Sequence, residues 1–316
     1  MRRILLLLAL CSLSVVSCKK GSNILYTVAA EDITPCTVRF VTRISNPEAF
    51  SKPLLVVWLS KNPDIKPSTK LTSSEITDGT MSIPFYYLQP ETTYYFKTRI
   101  IQDGINYDSP DFVFITPDLP TGVIDMGVSV KWASTNLGAN ALNETGDLFA
   151  WGEVQPKTEF SWESYQWCDG SKDGLTKYNE ADGKRQLETE DDAAHVILGG
   201  KWRMPTPKEY RELLNNCIQT SHLTYKGTEG ITFTSKINGN TLFFPMRPET
   251  TFTGATSMTG NCWTSSLDGN TGGYNDPYFP IVLQRGIAME IRNMYPLYLI
   301  HPERYEAAFI RPVLPE

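Results

Sequence analysis

The sequence predicts an all-β sandwich followed by an α+β domain. Three observations predict this. The first third alternates apolar and polar residues with a period of two. The Pro- and Gly-rich run "TPDLPTG" at Thr116–Gly122 then breaks the chain. Beyond it, two segments carry helix-capping signals and later segments return to strand patterns. A length of 316 residues suits two domains, and 41% hydrophobic with 20% charged residues is ordinary for folded protein. Six of the seven Trp lie after the break, from Trp132 to Trp263.

Strand signals fill residues 24–117. In "CTVRFVTRI", Cys36, Val38, Phe40 and Ile44 share one face, and Thr37, Arg39 and Arg43 the other. "YYFKTRI" alternates Tyr94, Phe96, Thr98 and Ile100 against Tyr95, Lys97 and Arg99. "LLVVWLS" reads as a strand buried on both sides, with Trp58 in the core. Asp103-Gly104 is a hairpin signal, because Gly accepts positive φ. Short strands at this spacing indicate a sandwich. "LQPETTY", with Leu88, Pro90, Thr92 and Tyr94, resembles the tyrosine corner of fibronectin type III domains. That resemblance implies a spacer or binding module.

Residues 118–122 read as a linker and 123–316 as the second domain. "TEDDAAHVILGG" offers Thr189 as N-cap with Asp192 three residues on, and Gly199-Gly200 as a stop. "TPKEYRELLNNC" has Thr206 as cap, Pro207 at the first helical position and Glu209 completing a capping box. Tyr210, Leu213, Leu214 and Cys217 then share one face. "ITFTSKINGNTLFF" is a hairpin about Asn238-Gly239, and "YFPIVLQ", "GIAMEI" and "AAFIRPV" are strand candidates.

Five segments occur in order: "DMGVSVKWASTNLGA", "GDLFAWGEVQPKTEFSW", "DDAAHVILGGKWRMPTPKEYRELL", "CWTSS" and "FIRPV". Together they resemble the "major paralogous domain" (FISUMP type) of bacterial surface lipoproteins. That domain is similar to the C-terminal domain of Lcl-type adhesins and, more distantly, to the C-type-lectin-like fold of formylglycine-generating enzymes. The resemblance implies a fold and not a function. In physical terms, Trp202 packs under a turn, Trp263 sits in an apolar strand, and Arg203 and Arg311 bond carbonyls at a crowded core edge.

The first residues carry a different signal. Arg2 and Arg3 precede an apolar run from Ile4 to Val16 that is short for a membrane span. "VVSC" then resembles a bacterial lipobox. Residues 1–17 therefore read as a lipoprotein signal peptide, Cys18 as the lipidated residue, and 18–23 as a membrane-proximal linker. The expected location is the outer membrane, lipid-anchored, with either face open. The net charge of -6 is spread without a basic run, which argues against nucleic acid.

Candidate chemistry is sparse. Four cysteines lie beyond Cys18, with no CxxC. A Cys168–Cys217 bridge and buried free thiols are both open readings. "DGSKDGLTKYNE" approaches EF-hand spacing through Asp169, Ser171, Asp173, Gly174 and Glu180. Thr176, Lys177 and the want of flanking helices oppose an EF-hand there; a looser calcium site on some of these carboxylates and a polar surface loop are both open readings, and no metal ligand and no cofactor are assigned. His195, His222 and His301 form no catalytic motif, and only Cys262 lies late enough to mimic the paired cysteines of formylglycine-generating enzymes. No catalytic residue is assigned. The best binding clue is aromatic: Trp162, Tyr165 and Trp167, with Tyr274 and Tyr278 in a second loop. Packed core aromatics are the competing reading. The expected function is non-enzymatic recognition: adhesion, or binding of a glycan or surface protein. A structural or assembly role in the cell envelope, pilus association included, is the alternative. An enzyme whose site forms only in the fold comes third.

Overall fold

The computed structural model describes residues 26–250, 256–267, 284–292 and 297–316. The chain separates into two compact units, Met1–Asp118 and Leu119–Glu316. The signal-peptide region and Cys18 lie outside the described residues, as do most of "YFPIVLQ" and both Tyr274 and Tyr278.

Among the described residues, eight strands build the first unit. One sheet has the order β1 (Tyr26–Glu31), β2 (Val38–Ile44), β5 (Thr80–Phe85). The other runs β4 (Thr69–Ser73), β3 (Leu54–Ser60), β6 (Thr93–Gln102), β7 (Ile105–Asp108), with β8 (Phe112–Ile115) also on β6. All these pairings are antiparallel. This is a fibronectin type III-like sandwich. Alternate residues of each strand meet between the sheets, where Val38, Phe40, Leu55, Val57, Tyr94, Phe96 and Ile100 are buried. The β6–β7 turn takes Asp103 at φ 49° and Gly104 at φ 73°, the two positive values a tight hairpin needs. The Tyr94 hydroxyl accepts from the Gln89 N–H at 2.9 Å, which is the tyrosine corner.

Trp58 departs from its expected place. It is half-buried and lies outside the core cluster. Its ring is covered on the outer sheet face by Lys97 (5.7 Å) and Arg99 (5.4 Å). The cations' stems, rather than a second core, shelter the indole.

In the second unit, β9 (Val123–Asp125), β10 (Val130–Ala133) and the final β19 (Val313–Pro315) form one sheet, with β10 in the middle. The start and end of the unit are thus hydrogen-bonded together. Two helices follow: α1 (Ala193–Leu198) and α2 (Pro207–Asn216). The chain continues through β11 (Cys217–Tyr225), β12 (Thr228–Ser235) and β13 (Thr241–Pro245), a three-stranded meander. A ribbon of β14 (Arg247–Thr250) and β15 (Thr256–Thr259) comes next. The last sheet has the order β16 (Cys262–Leu267), β17 (Gly286–Met289), β18 (Leu299–Ile300).

The capping box on α2 forms as the sequence implies: Thr206 accepts from Glu209 N–H, and Glu209 accepts from Thr206 N–H at 2.7 Å. The start of α1 is shifted. Thr189–Asp191 makes a 3-10 turn, and Asp192 is the cap, accepting from His195 N–H at 3.1 Å. Asp192 also accepts from Met204 N–H at 2.8 Å, a contact that fixes the choice from outside the helix.

Two buried clusters fill this unit. One gathers Trp132, Tyr210, Leu213, Phe233, Phe244 and Ile291, the other Phe149, Trp151, Tyr178, Trp263 and Ile310. Gly286 separates the indoles of the second cluster. A Cβ there would stand 2.8 Å from Trp263 and 3.0 Å from Trp151.

Candidate functional site

The aromatic segment singled out in the sequence turns inward. Tyr165 is fully buried and donates its hydroxyl to Trp151 O at 2.8 Å. Arg304, also fully buried, donates from Nε to that same hydroxyl at 2.9 Å. Its two terminal nitrogens reach Tyr178 O (3.2 Å) and Lys177 O (3.1 Å). The guanidinium is ringed by Trp151 (5.1 Å), Tyr165 (5.2 Å) and Tyr178 (5.9 Å). Burial pushes the Tyr165 hydroxyl far above the ordinary tyrosine range, against the pull of Arg304. Trp167 donates to Gly152 O at 2.7 Å and lies under Lys177 at 5.0 Å. Trp162 makes edge contacts with Tyr165 and Tyr305. Trp162, Tyr165 and Trp167 therefore hold an irregular loop onto the core, and Tyr165 has no face left for a ligand.

The loop with EF-hand-like spacing folds on itself. Asp169 N–H donates to Gly174 O, and Ser171 donates to the Asp169 carboxylate. Lys177 leaves the loop to bind Glu188 (2.9 Å) and Asp191 (2.5 Å). Asp191 also accepts from the Tyr178 hydroxyl, whose pKa burial raises. Among the described residues no group of three or more acidic, His or Cys side chains converges as a metal site.

The disulfide reading is corrected. Cys36, Cys168, Cys217 and Cys262 are free thiols. Cys168 donates to Trp162 O at 2.9 Å, while Cys217 is buried in the other hydrophobic cluster. Burial pushes the Cys217 and Cys262 thiols up to about 12, so both stay protonated and unreactive near neutrality.

Arg311 bonds carbonyls, as its sequence context suggests. It is fully buried, donating to Asn136 Oδ1 (2.8 Å), Ser134 O (2.7 Å) and Phe243 O (2.9 Å) over the Phe244 ring (4.2 Å). Arg203 likewise donates to a carbonyl, Met204 O at 3.0 Å, and adds a two-point pair with Glu209 at 2.9 and 2.5 Å. Arg203 and Arg311 are thus both committed to contacts within the second unit.

The open surface lies elsewhere. A groove of roughly 550 Å³ runs between the loop at 138–147, the β11–β12 turn and the β14–β15 ribbon. Thr228 ties two of these walls by donating to Asn143 O at 2.7 Å. Gly138, at φ 81°, lets the Asp147 carboxylate lie directly against it, where any Cβ would collide. Glu144, Asp147 and Glu229 supply carboxylates, Arg247 a guanidinium, and Met258 apolar surface, with the buried Met246 beneath. A smaller groove of roughly 380 Å³ adjoins it through Met258, with Glu249, Asn261, Glu290 and Arg292 in its walls. Sequence reasoning missed both grooves. Their residues come from separate loops, and although Gly138, Gly146 and Asp147 stand in two of the ordered motifs, nothing local marks them as groove walls.

No family model matches the sequence, and comparison with curated proteins finds no match. Solved structures give partial likenesses. The sensor domain of the anti-sigma factor RsgI4 in Pseudobacteroides cellulosolvens is 18% identical and covers 32% of this chain and 100% of its own, with a TM-score of 0.26. A fibronectin type III domain derived from human KIAA0970 protein is 18% identical and covers 35% of this chain and 93% of its own, with a TM-score of 0.25.

Proposed function

We propose that this chain is a lipid-anchored protein of the cell envelope whose second unit recognises a glycan without chemistry. The observation that carries this reading is the 550 Å³ groove. Its carboxylates accept hydrogen bonds from hydroxyls, its arginine donates them, and the partly exposed Met258 offers surface to C–H faces. Such a mixture suits a polyhydroxylated ligand. The buried thiols and the Arg203–Glu209 pair are committed to the core, which favours recognition over catalysis. The leader at residues 1–17, followed by Cys18, supports export and lipid attachment. The ordered motifs support a "major paralogous", C-type-lectin-like second unit, with Trp132, Trp263 and Arg311 as its buried frame.

An assembly role has one observation in its favour. Val196, Ile197 and Leu198 on α1 are consecutive and each is nearly half exposed. A glycan and matrix-protein array with the full-length protein separates the readings. Recognition predicts saccharide hits that disappear in an Asp147→Asn variant. Saccharide hits that survive that variant unchanged, or no hits at all, would overturn the assignment to this groove.

A further inference from the structure

Arg247 is the residue in the groove that its surroundings leave unexplained. It is half-buried at the start of β14, with its guanidinium over the Phe309 ring at 5.9 Å. Its Nε is shut off from solvent and finds no hydrogen-bond partner among the described residues. No carboxylate among the described residues lies within ion-pair distance of it. The contrast with Arg203, Arg304 and Arg311 is plain, since each of those spends its donors on carbonyls, hydroxyls or a carboxylate. A guanidinium with one buried donor left unmatched carries a cost, and the same half-buried side chain lines the groove, where an acceptor can meet it. Its planar fork fits a carboxylate in two-point fashion.

The charge around it limits what can arrive. Glu144, Asp147 and Glu229 share the groove with this single arginine. A densely sulfated or phosphorylated chain would bring several negative charges against three carboxylates and one guanidinium. A neutral sugar would leave the Arg247 fork unmatched. We infer that the groove binds a sugar acid: a ring with one carboxylate seated on Arg247 and hydroxyls donated to Asp147 and its neighbouring carboxylates. Met258 faces the ring's apolar side. This deepens the glycan reading and rests on it. Uronic and sialic acids both present that chemistry.

The test uses titration calorimetry on the full-length protein. Probes are galacturonate oligomers, their methyl esters, the neutral galactose oligomers, sialyllactose and a sulfated polysaccharide. The inference predicts binding of at least one of the two sugar acids. The carboxylate form should bind about tenfold to a hundredfold more tightly than its ester or neutral counterpart, the usual worth of a charge-assisted pair. Arg247→Gln should abolish that preference, and Arg247→Lys should restore part of it. The ester comparison needs no variant, so a folding defect in Arg247→Gln leaves the test intact. Galacturonate and sialyllactose arms tell the two acid sources apart. Equal binding of acid and ester, or binding confined to the sulfated polymer, overturns the sugar-acid inference and leaves glycan recognition standing. No saccharide binding by folded protein overturns both.

Discussion

Replacing Arg311 by Met tests whether the second unit is held by a buried guanidinium instead of by its strands alone. Arg311 is fully buried, and burial pulls its pKa down to about 10, so it remains charged near neutrality. The substitution preserves apolar bulk against Phe244. It strips donors from Ser134 O, Asn136 Oδ1 and Phe243 O, all in buried residues. Each orphaned acceptor costs about 1–3 kcal/mol, and relief of the guanidinium's own desolvation offsets part of the total. A net loss of about 3–5 kcal/mol is expected, the usual cost of breaking a buried charged network. In a domain of this size that lowers the melting temperature by roughly 6–20 °C. Tryptophan fluorescence is the assay, because six of the seven Trp lie in this unit. A fall of less than about 3 °C would refute the reasoning. The carbonyls would then be satisfied by water, or the loop at 133–136 would tolerate release.

Three further outcomes follow from the same geometry. Tyr94→Phe removes the acceptor for Gln89 N–H and should cost the first unit about 1 kcal/mol; unchanged hydrogen exchange at the Gln89 amide would contradict this. Burial works to raise the Glu209 pKa, but Arg203 and the Thr206 N–H outweigh it and hold the carboxyl below its usual 4.5. A folded-state pKa below the unfolded one gives stability that is present above about 4.5 and lost as pH falls through the folded value. Glu209→Gln should therefore be destabilised at pH 7 by about 1–3 kcal/mol, and the deficit should shrink below about pH 4.5. A deficit constant from pH 7 to pH 3 in denaturant titrations would count against the pair. Millimolar calcium should leave the melting temperature unchanged, since Lys177 is paired with Glu188 and Asp191; a rise of several degrees would restore the loop as a site.

Much of the first unit was legible because period-two patterns and a positive-φ turn are local signals. Val38, Phe40, Tyr94 and Phe96 point inward as their alternation demands. Trp58 escaped that logic, because Lys97 and Arg99 on a neighbouring strand decide its cover. The α2 capping box was legible for the same reason as the strands: all its partners lie within four residues. At α1 the local pattern pointed to Thr189 as cap, and Met204, twelve residues on from Asp192, holds Asp192 in that place. The aromatic cluster misled for a longer-range reason. Tyr165 is claimed by Arg304, 139 residues away, and no local pattern reports such a partner. The groove is the extreme case, since its walls meet only through the topology of β11, β12, β14 and β15.

Saturation-transfer NMR on the full-length protein with a bound saccharide, followed by photo-crosslinking from that ligand, tests the central claim most directly. Crosslinks should fall on the 138–147 loop, the β11–β12 turn and the β14–β15 ribbon, and Asp147→Asn should remove them. Crosslinks confined to the first unit, or to the loop carrying Trp162 and Trp167, would contradict the assignment of recognition to this groove.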